Sequence, residues 1–114
     1  MIVPVPLYSS RQRERGFNQS EVIARELSRR KKIRLVSGAI IKVKDTPPQA
    51  SLEAVARREN VKGVYLVKQK EAIKDKVVLL VDDVFTTGST IEECSRVLME
   101  AGAKEVRAMT VAQA

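Results

Sequence analysis

The sequence predicts an α/β domain, an open and mostly parallel sheet of about five strands flanked by helices. Three observations carry this. Val77–Val81 is an uninterrupted aliphatic run rich in β-branched residues, as in a strand covered on both faces of a parallel sheet. After it, Ile91, Cys94, Val97, Leu98 and Ala101 recur at helical spacing and form one apolar face. Val106–Val111 then reads as another strand, so strand, helix and strand follow within one βαβ unit.

The remaining elements follow in chain order. Ile2–Leu7 is apolar but interrupted by Pro4 and Pro6, so it reads as the end of a strand entering a loop. Residues 8–19 form a polar, basic loop with Arg11, Arg13, Arg15 and Gly16. A helix is expected over Ser20–Arg30, with Ser20 as its N-cap and Val22, Ile23 and Leu27 along one side. Leu35–Val43 reads as a strand around Ala39-Ile40-Ile41. Pro47-Pro48 then breaks regular structure. Leu52, Val55 and Ala56 suggest a short helix or turn near residues 51–58, Val64–Val67 a short strand, and Lys68–Lys76 a charged linker. Ser89 with Glu92 makes a capping-box pattern at the start of the last helix, and Gly102 suits its end.

With 114 residues, the chain is expected to form one domain with one core. It holds no His, which removes histidine acid–base chemistry and histidine-ligated metal sites. Its one cysteine removes an intrachain disulfide and a CxxC zinc site; Cys94 reads as core. No apolar run approaches the roughly 20 residues of a membrane span. The opening Met1-Ile2-Val3-Pro4 has no basic region of a signal peptide, so the expected location is the cytoplasm. The net charge of +7 suits a nucleic acid, a phosphorylated small molecule or an acidic partner. Direct nucleic-acid binding through the basic loops is the weaker reading, because aromatic residues make up only 4% and stacking platforms are scarce.

The chemistry concentrates in Val81-Asp82-Asp83-Val84-Phe85-Thr86-Thr87-Gly88-Ser89-Thr90. In open α/β sheets, ligands sit beyond the C-terminal ends of the strands, and Asp82 and Asp83 lie there. Helix N–H groups beside Gly88, together with the hydroxyls of Thr86, Thr87, Ser89 and Thr90, suit a phosphate. The carboxylates suit sugar hydroxyls, so the segment could hold a ribose 5-phosphate. An ordinary solvated strand–helix junction would carry a similar pattern. A Walker A loop is excluded because no GKS or GKT follows, and a dinucleotide fingerprint because there is one glycine.

Residues 77–90 resemble the phosphoribosyl-pyrophosphate signature of type I phosphoribosyltransferases. The wider chain is similar to the C-terminal part of ComF-like competence proteins, through Val3-Pro4-Val5-Pro6-Leu7, Arg15-Gly16-Phe17-Asn18-Gln19, Thr46-Pro47-Pro48-Gln49, Leu52, Arg58, Asn60-Val61-Lys62-Gly63 and the acidic segment. The resemblance implies a phosphoribosyltransferase core over residues 1–114, without an evident hood or zinc segment. Its donor would be 5-phospho-α-D-ribose 1-diphosphate with Mg²⁺, and its acceptor base is left open.

In these terms Asp82 and Asp83 would hold the ribose hydroxyls and the metal, and Thr86, Thr87, Gly88, Ser89 and Thr90 the 5-phosphate. The 7–18 loop would approach the pyrophosphate, and 42–60 resembles the loop that closes over the site. Arg11, Arg13, Arg15, Lys42, Lys44 and Arg58 are the cations available to the diphosphate, with Arg15 and Arg58 expected to act in catalysis. Lys42 and Lys44 stand where relatives often carry arginine, and Ser51 where glycine is usual. Base specificity would reside in segments outside this core. A non-catalytic sensor or accessory protein of DNA uptake is the alternative, and a homodimer is expected.

Overall fold

The computed structural model describes residues 1–7, 14, 16–44, 63–85 and 88–113, with nothing taken from the side chains of residues 84, 85, 112 and 113. Five strands and three helices lie among these residues. They are β1 (Ile2–Pro4), α1 (Gln19–Lys31), β2 (Ile40–Lys42), β3 (Tyr65–Val67), α2 (Lys70–Ile73), β4 (Val77–Phe85), α3 (Ser89–Glu100) and β5 (Glu105–Gln113).

The strands divide between two sheets. β1, β4 and β5 form a parallel sheet in that order, with β4 in the middle. Val3 lies opposite Leu80, and Asp82 opposite Thr110. Leu35 adds a single parallel bridge to Ile2 on the outer side of β1. β2 and β3 form a separate antiparallel pair, with Lys42 opposite Tyr65. The strand expected over Leu35–Val43 is therefore split. The turn at Ser37-Gly38 carries the chain away from β1 after Val36, so Ile40–Lys42 takes β3 as its partner instead.

Each face of the parallel sheet has its own cover, as alternation along a strand requires. Leu79 and Val81 face α1, where Ala24, Ile23 and Leu27 pack with Ile2 and Leu35. Val78 and Leu80 face α3 and the β2–β3 pair, in a cluster with Val3, Val5, Ile40, Tyr65, Ile73, Cys94 and Leu98. Cys94 and Leu98 are fully buried, as the helical spacing predicts. Val77 departs from the expected two-sided burial and is 41% exposed, because it opens the strand at the sheet's rim.

The helix ends differ from expectation in instructive ways. Asn18, not Ser20, caps α1: its Oδ1 accepts the Ser20 N–H at 3.0 Å, and its Nδ2 donates to the Val5 carbonyl at 3.0 Å. That pair of bonds holds the start of α1 against the end of β1 and leaves the Ser20 hydroxyl to act elsewhere. At α3 the N-cap is Gly88, at φ 83°, so Ser89 lies inside the first turn and the Ser89/Glu92 capping box does not form. The C-terminus of α3 closes as expected. The Gly102 N–H bonds the Met99 carbonyl and the Ala103 N–H the Leu98 carbonyl, the paired bonds of a Schellman end. The charged stretch expected as a linker contains the single turn α2, whose Ile73 is fully buried beneath it. The element expected near residues 51–58 lies outside the described residues.

Candidate functional site

β4 runs four residues past the expected end at Val81, so Asp82 and Asp83 lie within the ladder rather than just beyond it. Here β1 has already ended at Pro4 and α1 is only beginning. The carboxylates thus stand at the C-terminal rim of the sheet, between the starts of α1 and α3.

Asp82 is the more confined. Its Oδ1 accepts a hydrogen bond from the Ser20 hydroxyl at 3.1 Å and from the Asp83 N–H at 2.9 Å. Burial pushes its carboxyl up to about 6, and the adjoining Asp83 carboxyl, hydrogen-bonded to it and of like charge, pushes the same way. The bonds from Ser20 and the Asp83 N–H act in the opposite direction. The two carboxyls are therefore close enough to compete for charge, and a cation or a hydroxyl donor between them relieves that competition.

Tyr65 closes the other side. It is 3% exposed, its hydroxyl is hydrogen-bonded to the Thr90 side chain, and burial holds its phenol well above the usual range. The bond ties β3 to the first turn of α3. Lys42 crosses the Tyr65 ring with Nζ 6.0 Å from its centre. Glu93, one turn into α3, is nearly buried and accepts two bonds from the Arg96 guanidinium, at 2.8 and 2.6 Å. It also accepts the Gly63 N–H at 3.1 Å, which fastens the approach to β3 onto the same helix. Cys94 is buried behind these groups, and burial pushes its thiol up.

The start of α3 has a backbone geometry that suits an anion. Gly88 takes the left-handed conformation that a β-carbon disfavours, and the chain turns there directly into the helix. The first intrahelical bond runs from the Glu92 N–H to the Gly88 carbonyl at 2.8 Å. The earlier N–H groups of that turn point out of the helix end, where the dipole favours negative charge.

Of the residues singled out in the sequence, Asp82, Asp83, Gly88, Ser89, Thr90 and Lys42 gather at this rim. Lys42 lies in β2, paired with Tyr65, rather than in a loop. Lys44 is exposed just beyond the end of β2. Arg11, Arg13, Arg15, Arg58, Thr86 and Thr87 lie outside the described residues. Sequence reading missed Ser20's bond to Asp82, the Tyr65–Thr90 tie and the Glu93 anchor. One signal was available for Glu93: an acid beside Cys94 on the apolar side of α3, three residues before an arginine.

Mg²⁺ fits this donor set. Among the described residues no group of three or more acidic, cysteine or histidine side chains converges, so the protein offers no complete cage. Mg²⁺ is commonly held by one or two carboxylates, with water and substrate phosphates completing the shell. Asp82 and Asp83 supply that many.

A parallel sheet ending in paired carboxylates, followed by a glycine turn into a helix, defines an α/β domain with a candidate ligand site at the rim of its sheet. Comparison with known proteins gives its family. The phosphoribosyl transferase domain matches over residues 15–114, and the chain belongs to that family. It is 40% identical to competence protein F of Haemophilus influenzae, over 99% of this chain and 50% of that protein. It is 36% identical to the DNA utilization protein YhgH of Escherichia coli (strain K12), over 93% of this chain and 46% of that one. Identity to competence protein ComFC of Bacillus subtilis is 32%, over 90% and 39%. The chain thus spans about half the length, or less, of these curated relatives. No helix among the described residues is long and apolar enough to cross a membrane.

Proposed function

We propose that this domain binds 5-phospho-α-D-ribose 1-diphosphate with Mg²⁺ and transfers its phosphoribosyl group to an acceptor base. The observation that carries the reading is the Asp82–Asp83 pair at the end of β4, joined through Gly88 to the start of α3. The carboxylates accept the ribose hydroxyls, and the first turn of α3 receives the 5-phosphate. In the transfer, the C1–oxygen bond to pyrophosphate breaks, pyrophosphate leaves with the electron pair, and C1 bonds to the acceptor nitrogen, which gives up its proton. Mg²⁺, when bound, would offset charge on the departing pyrophosphate. Lys42, over the Tyr65 ring, and Arg15 and Arg58 are proposed to contact the diphosphate, the arginines through their guanidinium groups.

The test is calorimetric titration with phosphoribosyl pyrophosphate, with and without Mg²⁺. Binding that depends on the metal and is lost in Asp82→Asn/Asp83→Asn supports the site. Unchanged affinity in that double variant removes it.

The names of the relatives, competence and DNA utilization proteins, favour a second reading, a ligand-binding accessory domain in DNA uptake or use that does not catalyse transfer. Pyrophosphate release separates the two. Release with a nucleobase supports the transferase, and binding without release from any base supports the accessory role.

A further inference from the structure

Glu93 is a buried acid that the proposed transfer does not use; it is 7% exposed and lies one turn inside α3. Burying a carboxylate is costly unless it is paired and hydrogen-bonded. Arg96 meets that need with bonds at 2.8 and 2.6 Å. Arg96 itself does not call for a buried partner, because the exposed Glu100 carboxylate accepts its remaining guanidinium nitrogen at 2.7 Å. What the buried position adds is a bond from the Gly63 N–H to the Glu93 Oε2 at 3.1 Å. Gly63 stands at φ 69° directly before Val64 and Tyr65, both buried. We infer that Glu93 is a positioning residue for the phosphoribosyl site, holding β3 against α3 so that Tyr65 meets Thr90. The inference rests on the phosphoribosyl-transfer reading and deepens it by giving a role to a residue one turn behind the proposed phosphate contacts.

Two bonds join this stretch of chain to α3, Gly63 to Glu93 and Tyr65 to Thr90. Their ends lie two residues apart on the strand side and three apart, nearly one turn, on the helix. Together they give β3 a single register along the first turns of α3. A bond between two side-chain hydroxyls fixes a position only when both backbones are fixed. The Glu93 bond fixes the backbone entering β3 from the helix side. The Val43 N–H, bonded to the Val64 carbonyl at 2.7 Å, fixes it from β2.

The consequence reaches the ligand through Thr90. A Tyr65 hydroxyl that donates to Thr90 leaves the Thr90 proton for a phosphate oxygen. Lys42, opposite Tyr65 in β2 and over its ring, is carried by the same pair of strands. Binding groups have to be held within about 0.5 Å of their productive geometry. Without the Glu93 acceptor, β3 loses its bond to α3 on one side of Tyr65, and the Thr90 hydroxyl loses its fixed direction.

Calorimetric titration of the full chain with ribose 5-phosphate and Mg²⁺, alongside thermal unfolding, tests this. Glu93→Ala should bind about tenfold more weakly through a misdirected Thr90 hydroxyl. Glu93→Gln keeps an oxygen for the Gly63 N–H and should return to within about threefold of wild type, although it gives up the ion pair. In a Thr90→Val background, Glu93→Ala should weaken binding by less than about twofold, because the hydroxyl it positions is already gone. A residue that only stabilises the fold would lower Tm without this dependence on Thr90. Tyr65→Phe removes the last link and leaves Glu93 in place. It should weaken ribose 5-phosphate with the Gly63 amide signal unmoved in ¹⁵N spectra, and it tests the same route should Glu93→Ala not fold. The proposal is overturned by unchanged affinity in Glu93→Ala or Tyr65→Phe, by a Glu93→Gln variant as weak as Glu93→Ala, or by an equal loss in the Thr90→Val background. Wild-type protein that binds neither ribose 5-phosphate nor phosphoribosyl pyrophosphate removes the phosphoribosyl reading and this role with it. Wild-type binding that Glu93→Ala leaves unchanged removes the role alone.

Discussion

Asp82→Asn should stabilise the fold at neutral pH while damaging the site. The Asp82 carboxyl is pushed up to about 6 from an ordinary value of 3.8. Each unit corresponds to about 1.4 kcal/mol, so ionising Asp82 in the folded chain costs up to about 3 kcal/mol more than in the unfolded chain. Between those two values the native state binds more protons than the unfolded state. This group's contribution to stability is therefore present below about pH 4, declines as pH rises towards 6, and is lost above it. An amide of the same shape keeps an oxygen to accept the Ser20 hydroxyl and the Asp83 N–H, and it carries no charge. Allowing for one mismatched amide donor, the gain at pH 8 should be about 1–2 kcal/mol, or roughly 5–10 °C in Tm for a domain of this size. Urea and thermal unfolding in chelator-treated buffer at pH 4 and pH 8 would measure it. The variant should exceed wild type at pH 8, and the advantage should shrink or vanish at pH 4. A variant less stable at pH 8, or a difference that ignores pH, would refute the account of Asp82 as a costly buried charge.

Three further outcomes follow. Lys32 ends α1 at φ 56°, a conformation that favours glycine, so Lys32→Gly should raise stability by about 0.5–1 kcal/mol in urea melts; a loss would show that the Lys32 side chain contributes more than the backbone strain. Leu98→Ala should cost about 2–5 kcal/mol, because Leu98 is fully buried between α3 and the sheet and its removal leaves a cavity. The Cys94 thiol, buried and pushed up, should react slowly with a thiol reagent at pH 8 and at least tenfold faster in denaturing urea; equal rates would mean that the core around it opens readily.

Local signals predicted the class of fold and pointed to a candidate site at the end of β4. The Val77–Val81 run, the apolar face through Cys94 and Leu98, and the Asp82-Asp83…Gly88 spacing each lie within a short stretch of chain. Their structural meaning comes from alternation, helical periodicity and backbone freedom, which neighbouring residues largely set. Family resemblance extended that reading to phosphoribosyl chemistry, and the family match bears out the family itself.

Other features needed distant surfaces to meet. Asn18 and Ser20 are both good capping residues, and packing of α1 against the end of β1 chose between them: Asn18 could bond Val5 as well as Ser20, which left the Ser20 hydroxyl for Asp82. Leu35–Val43 has strand character throughout, yet the turn at Ser37-Gly38 and the partnership of β2 with β3 divided it between two places. Glu93 gained its role only when Gly63 reached it from 30 residues away, and Asp82 owes its raised carboxyl to burial beneath elements remote in sequence. A one-dimensional pattern determines what a segment prefers to be. Which buried polar groups share a partner, and where a cleft remains between them, is decided when the segments pack.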